Sequence, residues 1–268
     1  MKYKIALCQM ACVDSKEENT RVASAMIKKA AENGADIISL PEMWPCLYDA
    51  AYFRANAEPE GGPLTEKMSE WAKENGVYLV GGSIPLLRGN EMYNTCFVFG
   101  RDGEKLAVHD KVHLFDIDVE NGISFKESDS FTPGDHATVF ETEFGTIGVE
   151  ICFDVRFPEF ARKTSLDGAK LIFLPAAFNM TTGPAHWELT MRARALDDQV
   201  YFAACSPARD EAGPYVAYGH SMIVSPWGDV VAEADEKEQI IYSDIDTDYV
   251  DSIRRQLPLI AQRRPELY

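Results

Sequence analysis

Several common signals are missing from this 268-residue sequence. It holds no Cys-x-x-Cys pair, no G-x-S-x-G elbow and no glycine-rich dinucleotide fingerprint. These absences argue against a zinc ribbon, a dithiol redox centre, a serine-hydrolase elbow and a Rossmann cofactor site. No apolar run reaches the length of a membrane span. Positive charge is scarce: 26 Lys and Arg stand against 43 Asp and Glu, a formal net charge of −17. Nucleic acid and anionic membranes need basic patches, so neither is an expected partner. A local cationic pocket for a small anion remains compatible with an acidic chain. The sequence also lacks linkers rich in Ser, Gly or Pro, repeats and low-complexity tracts, which predicts one domain over residues 1–268. In the opening "MKYKIALCQM" the apolar part is too short to read as a signal peptide. A cytoplasmic setting is expected, with Cys8, Cys12, Cys46, Cys96, Cys152 and Cys205 as free thiols. The sequon at Asn179 then reads as a chance match.

The chain does carry a series of short apolar strands alternating with helices. "YKIALCQMA" reads as a buried strand, and helical spacing runs over residues 16–33, stopped at Asn33-Gly34. "ADIISLPE" is a second strand, closed by Pro41. A helix near 64–75 leads into "VYLVGGSIP", read as one strand. "YNTCFVFG" and "EKLAVHDKVHLF" form a hairpin, as do "ATVFET" and "GTIGVEICF". Helices at about 157–167 and 184–198, the strands "KLIFLPA", "VYFAACS", "GHSMIVSP" and "IIYSDID", and a short last helix complete a layered α/β (α+β) domain. The last ten or so residues, "IAQRRPELY", read as a tail that either wanders or docks on a partner subunit.

Three strand ends each present one reactive group: Glu42 after "IISLP", Lys111 after "KLAVHD" and Cys152 after "GTIGVEI". Taken singly, each has a plain reading. Most cysteines in apolar segments are core, and most Glu and Lys are solvated surface charges. Cys152 departs from that reading because a charged turn and a helix come after it. A helix N-terminus lowers a thiol's pKa and stabilises an oxyanion. No Cys-His dyad can be read from the five histidines. His109 and His113 are four apart but lie on a strand leading into a loop, a weak metal pattern.

The order and context of these residues resemble the nitrilase superfamily of carbon–nitrogen hydrolases. The motifs are "LPE" at Glu42, "HDKVHLF" at Lys111 and "GVEICFDVRFPE" at Cys152. The likeness runs from "IALCQM" to "YSDID". "FNMTTGPAHWEL", "RARALDDQVYFAACSPAR" and "YGHSMIVSPWGDV" are similar to the omega-amidase branch. The resemblance implies a four-layer α-β-β-α sandwich, pairing of sandwiches into a homodimer or larger homo-oligomer, and a Glu–Lys–Cys triad. It also implies a second glutamate at Glu127, and substrate contacts at Arg156, Phe178 and Thr182. Three features depart from the branch: the segment 43–61, Glu150 where many relatives have a smaller residue, and Asp198 in place of Asn.

These residue types support amide hydrolysis through a cysteine thioester. Glu42 relays protons, and Lys111 with the backbone N–H of Phe153 stabilises the oxyanion. No metal or organic cofactor is required. Arg156 reads equally as a carboxylate anchor or as half of a structural ion pair. Phe178 reads as pocket wall or core, and Thr182 as hydroxyl donor or helix-cap residue. The expected substrates are short α-keto dicarboxylate monoamides such as 2-oxoglutaramate and 2-oxosuccinamate. The rival readings are a deaminated-glutathione amidase or N-carbamoyl hydrolase, a non-catalytic scaffold or sensor with the same fold, and a metal hydrolase using His109 and His113.

Overall fold

Side chains of β1 (Lys2–Gln9) alternate between two cores, as the two-residue period of a strand dictates. Tyr3, Ile5 and Leu7 enter one, Ala6 and Cys8 the other. That single strand marks the layering of the whole molecule. The computed structural model describes residues 1–267, so Tyr268 and the end of the expected tail lie outside the described residues.

The chain continues through α1 (Lys16–Glu32), β2 (Ile37–Ser39), α2 (Ala50–Asn56), β3 (Glu58–Pro59), α3 (Pro63–Asn75), β4 (Tyr78–Val80), β5 (Ile84–Arg88), β6 (Glu91–Phe99) and β7 (Lys105–Asp110). A small hairpin of β8 (Asp116–Asp118) and β9 (Ser124–Lys126) comes next. The second half holds β10 (Thr138–Thr142), β11 (Gly145–Val149), α4 (Pro158–Leu166), β12 (Leu171–Pro175), α5 (Gly183–Asp198), β13 (Tyr201–Cys205), β14 (Met222–Val224) and β15 (Val230–Glu233). It closes with β16 (Gln239–Asp246) and α6 (Thr247–Gln256).

The first sheet has eight strands in the order β16-β1-β2-β4-β6-β5-β3, with β7 also paired to β6. The second has six in the order β10 to β15. One core joins inward residues of β1, β2, β11, β12 and β13, so the two sheets pack face to face. Behind the first sheet lie α1 and α3, whose apolar stripes (Ala23, Ile27 and Ala30; Met68, Trp71 and Ala72) fill the second core. Behind the second sheet lie α4 and α5. This is the α-β-β-α sandwich that the resemblance implied.

Helix ends obey local chemistry. The Ser15 side chain accepts a hydrogen bond from the Glu18 N–H at the start of α1, and Gly76 ends α3 in the left-handed region. The expected strand "VYLVGGSIP" is instead two strands, β4 and β5. Gly82, at φ +63°, breaks it. A Cβ there would sit 2.2 Å from the Pro41 carbonyl oxygen, so glycine lets this turn press against the residue that precedes Glu42. α2, β8, β9 and β15 leave no clear pattern in the sequence.

Candidate active site

The topology brings the three strand ends to one place. β2 and β4 are parallel, β6 runs antiparallel to β4, and β7 antiparallel to β6. Glu42 therefore leaves β2 at the same end of the sheet where Lys111 leaves β7. The Lys111 N–H donates to the Asn94 carbonyl of β6 (2.9 Å), which fixes the start of its loop. Glu127 comes from the 3-10 turn after β9, and Cys152 from the opposite sheet, just beyond β11.

All four side chains are buried. Lys111 Nζ lies 2.8 Å from Glu42 Oε1 and 2.8 Å from Glu127 Oε2. Burial works against its ammonium, but the carboxylates of Glu127 and Glu42 prevail and hold its pKa well above the usual lysine value. Burial also raises the Glu127 pKa, against the opposing pull of Lys111. Glu127 Oε2 accepts the Phe115 N–H at 2.6 Å.

Cys152 has a left-handed backbone, φ +45°, as does Met43 beside Glu42, φ +52°. Such conformations are strained in residues other than glycine, and here they flank the cluster. The strand proper ends at Val149. Cys152 itself opens a five-residue 3-10 turn, and α4 starts only at Pro158. The expectation of a thiol activated by a helix N-terminus is thereby corrected. Burial, then the Glu42 carboxylate, push the Cys152 pKa well above that of a free thiol, while Lys111 and the Ala177 N–H pull it down. The resting group is a thiol that needs a base to ionise.

Asp154 ties the nucleophile turn to the lysine segment. One of its oxygens accepts the Ile151 N–H (3.0 Å) and meets His109 Nε2 at 3.2 Å. The other meets the His113 N–H and Nδ1, each at 2.8 Å. Burial works to raise its pKa, yet the bonds with His109 and His113 lower it to about 2. His109 Nδ1 meets the Thr138 hydroxyl at 2.9 Å, so both of its ring nitrogens are engaged. The two histidines serve as an anchor for Asp154.

Arg156 is half-buried, and among the described residues no carboxylate lies within ion-pair distance of it. Its guanidinium lies 4.6 Å from the Phe178 ring centroid, and Nη1 meets His186 Nδ1 at 3.2 Å. Phe178 is buried edge-on against Trp187. Thr182 stands at the N-cap of α5, but its hydroxyl caps nothing: Asn179 Oδ1 accepts the N–H groups of Thr181 and Thr182 instead. Phe153 is the first residue after Cys152 in the turn, where backbone N–H groups lack intrahelical partners. A narrow cavity beside Glu42 is walled by Met43, Tyr48, Ala177, Ala208 and Tyr215.

Sequence reasoning missed Tyr48 and Asn94. The Asn94 amide donates to Glu42 Oε1 at 2.8 Å, and the Tyr48 hydroxyl reaches the same oxygen at 3.3 Å. The two outliers Glu150 and Asp198 lie in one buried patch with Arg162 and Arg194. Neither Glu150 oxygen has a hydrogen-bond partner. Burial, then Asp154 and Asp198, push its pKa well above normal. Arg162 Nε stands 3.0 Å from Asp198 Oδ1 without hydrogen-bond alignment.

A family model described as carbon-nitrogen hydrolase matches residues 4–255. The chain belongs to the carbon–nitrogen hydrolases. This carbon–nitrogen hydrolase is 52% identical over 267 residues to the omega-amidase NIT2 of Xenopus tropicalis, covering 100% of this chain and 97% of that one. It is 48% identical over 266 residues to the omega-amidase NIT2 of Homo sapiens, covering 99% and 96%. Among solved structures it is similar to Saccharomyces cerevisiae Nit3, a member of branch 10 of the nitrilase superfamily. That match has a TM-score of 0.90 and 39% identity, and covers 98% of this chain and 97% of that one.

Proposed function

We propose that this protein is an omega-amidase, hydrolysing the terminal amide of short α-keto dicarboxylate monoamides such as 2-oxoglutaramate and 2-oxosuccinamate. The observation that carries the reading is the buried Lys111 bridging Glu42 and Glu127 beside Cys152. A scaffold gains nothing from burying an ammonium between two carboxylates next to a thiol, because each ion loses hydration. The names of the full-length relatives give the amide class.

In this reading, Cys152 sulfur attacks the amide carbon as its proton passes to Glu42. The oxyanion is held by Lys111 Nζ and the Phe153 N–H, one such donor contributing about 3 kcal/mol to the transition state. Glu42 returns the proton to nitrogen, the C–N bond breaks and ammonia leaves a thioester. Water attacks the thioester carbon while Glu42 takes its proton, and Glu127 holds Lys111 in place. Collapse releases the acid, and the thiolate recovers the proton.

Arg156 is proposed to bind the distal carboxylate, with Phe178 along the carbon chain and Thr182 donating a hydroxyl. Its lack of an acidic partner favours this over a structural ion pair. We also propose that residues 1–268 act as one domain in a reducing cytoplasm, which suits the six unpaired cysteines. Two copies are proposed to pair through the exposed Leu189, Leu196 and Trp227 on the outer side of α5 and its neighbouring hairpin.

The test compares kcat/KM for 2-oxoglutaramate and for a neutral amide of equal length, in the native protein and in Arg156→Met. One charge-assisted hydrogen bond is worth roughly 1.5–3 kcal/mol, about ten- to hundred-fold. Arg156→Met is expected to remove that preference by weakening the acidic substrate alone. Preference of the native protein for neutral amides would overturn the omega-amidase reading. An unchanged preference in Arg156→Met would move the anchor elsewhere.

A further inference from the structure

Three donors converge on one oxygen of Glu42. Lys111 Nζ reaches Oε1 at 2.8 Å, Asn94 Nδ2 at 2.8 Å and the Tyr48 hydroxyl at 3.3 Å. The same three reach Glu127 Oε1 at 3.1, 3.2 and 3.5 Å. The remaining oxygens differ. Glu127 Oε2 is held by the Phe115 N–H and Lys111. Glu42 Oε2 is buried and has no hydrogen-bond partner.

A carboxylate torsion has a broad, two-fold profile, so a glutamate by itself presents either oxygen. Donors fixed on one oxygen remove that freedom and stabilise negative charge there. An incoming proton then goes to the other oxygen. We propose that Tyr48 and Asn94 are positioning residues that saturate Oε1 of Glu42 and so make Oε2 the atom that takes the Cys152 proton. The inference rests on the reading of Glu42 as the base.

Each residue is suited to the task. Lys111 is drawn on by both carboxylates and by the oxyanion, so it cannot orient Glu42 alone. The Asn94 amide carries two hydrogens, enough for one on each glutamate. Turning it over would aim its carbonyl at two carboxylates, so its orientation is fixed electrostatically. Burial, then Glu127 and Glu42, keep the Tyr48 hydroxyl protonated and therefore a donor. Its ring is gripped edge-on by Phe53 at 5.1 Å and leans on Tyr215 at 4.6 Å. Tyr48 also lines the cavity, which links the wall of the pocket to the direction of the base.

The test uses Tyr48→Phe, which keeps the ring packing, and Asn94→Leu, which keeps the volume. Two quantities are measured in the purified full-length protein: kcat and KM on 2-oxoglutaramate, and the rate of Cys152 alkylation by iodoacetamide. Alkylation at the iodomethyl carbon needs the thiol proton removed but breaks no C–N bond. Each variant is expected to lose about tenfold in kcat, the cost of one hydrogen bond to a charged group, with KM nearly unchanged and alkylation slowed alike. The double variant is expected to lose less than the product of the two, because both act on one oxygen. A loss confined to KM, or alkylation at the native rate, would overturn the inference. If Asn94→Leu fails to fold, Tyr48→Phe alone decides. If the native protein ignores 2-oxoglutaramate while alkylation still responds, the positioning role stands and the omega-amidase reading falls.

Discussion

Asp154 is the residue through which the nucleophile turn is held to the lysine segment. Its two oxygens serve the buried Ile151 and His109 and the part-exposed His113. Asp154→Asn keeps the shape but removes the charge and turns one acceptor into a donor. Breaking a buried charged network of this kind costs about 3–5 kcal/mol. Urea unfolding at pH 7 is expected to show a loss of that order, with kcat falling more than KM rises. Stability within about 0.5 kcal/mol of native would show that the network does not hold the turn. Asp154 was visible in "CFDVRF" only as one charge in a turn, because its two histidine partners lie 45 and 41 residues away. Glu42, Lys111 and Cys152 were legible because each comes after an apolar strand that ends abruptly. Asn94 and Tyr48 were not. Asn94 sits inside the strand "YNTCFVF", where an amide gives no sign of which face it occupies. Tyr48 lies in the segment 43–61, where no period of two or 3.6 can be traced.

Between elements, the buried patch of Glu150, Asp198, Arg162 and Arg194 joins the end of β11 to α4 and α5. Glu150 is raised well above its ordinary pKa by burial first, and Asp198 is raised to about 6, again by burial first. A carboxyl whose pKa is higher in the folded than in the unfolded state binds more protons when folded. Stability therefore falls as pH rises from the unfolded value toward the folded one. The native Tm is expected to drop as pH climbs from about 4.5 through 6 and above. Glu150→Gln removes the larger contribution, so it is expected to flatten that slope and raise Tm at pH 7 while matching native Tm near pH 4. A Tm profile parallel to that of the native protein would show that Glu150 does not drive it. The long helix α1 was legible from its apolar spacing and from the stop at Asn33-Gly34. The hairpin of β8 and β9 was not: its strands have three residues each and carry Asp116, Asp118 and Lys126. Such short charged strands form because tertiary packing holds them, and that leaves no local period to read.

At the scale of the whole molecule, charge and shape act against each other. Each copy carries a formal charge of −17, which opposes pairing of two copies. The outer side of α5 nevertheless leaves Leu189 70% and Leu196 40% exposed, and the neighbouring turn between β14 and β15 leaves Trp227 49% exposed. A homodimer built on this face is expected to tighten as salt screens the repulsion, with a screening length of about 8 Å near 0.15 M. Light scattering across a salt series is expected to show the dimer mass rising with ionic strength. Leu189→Glu with Trp227→Ser is expected to shift the mass to that of a monomer. A native monomer at every salt concentration, or a dimer indifferent to both substitutions, would place association elsewhere or remove it. Among the described residues, no helix is long and apolar enough to cross a membrane.

The chemistry comes down to one covalent bond. Rapid mixing with 2-oxoglutaramate, an acid quench and peptide mass spectrometry report directly whether a thioester forms and on which cysteine. Glu42→Gln cannot deliver the proton to the leaving nitrogen, so it serves as the control. The expected result is an acyl adduct on the peptide containing Cys152 in the native protein, absent from Glu42→Gln and from Cys152→Ala. An adduct on Cys12 or Cys46, or full turnover with Cys152 unmodified and replaceable by alanine, would contradict the mechanism built on Glu42, Lys111 and Cys152.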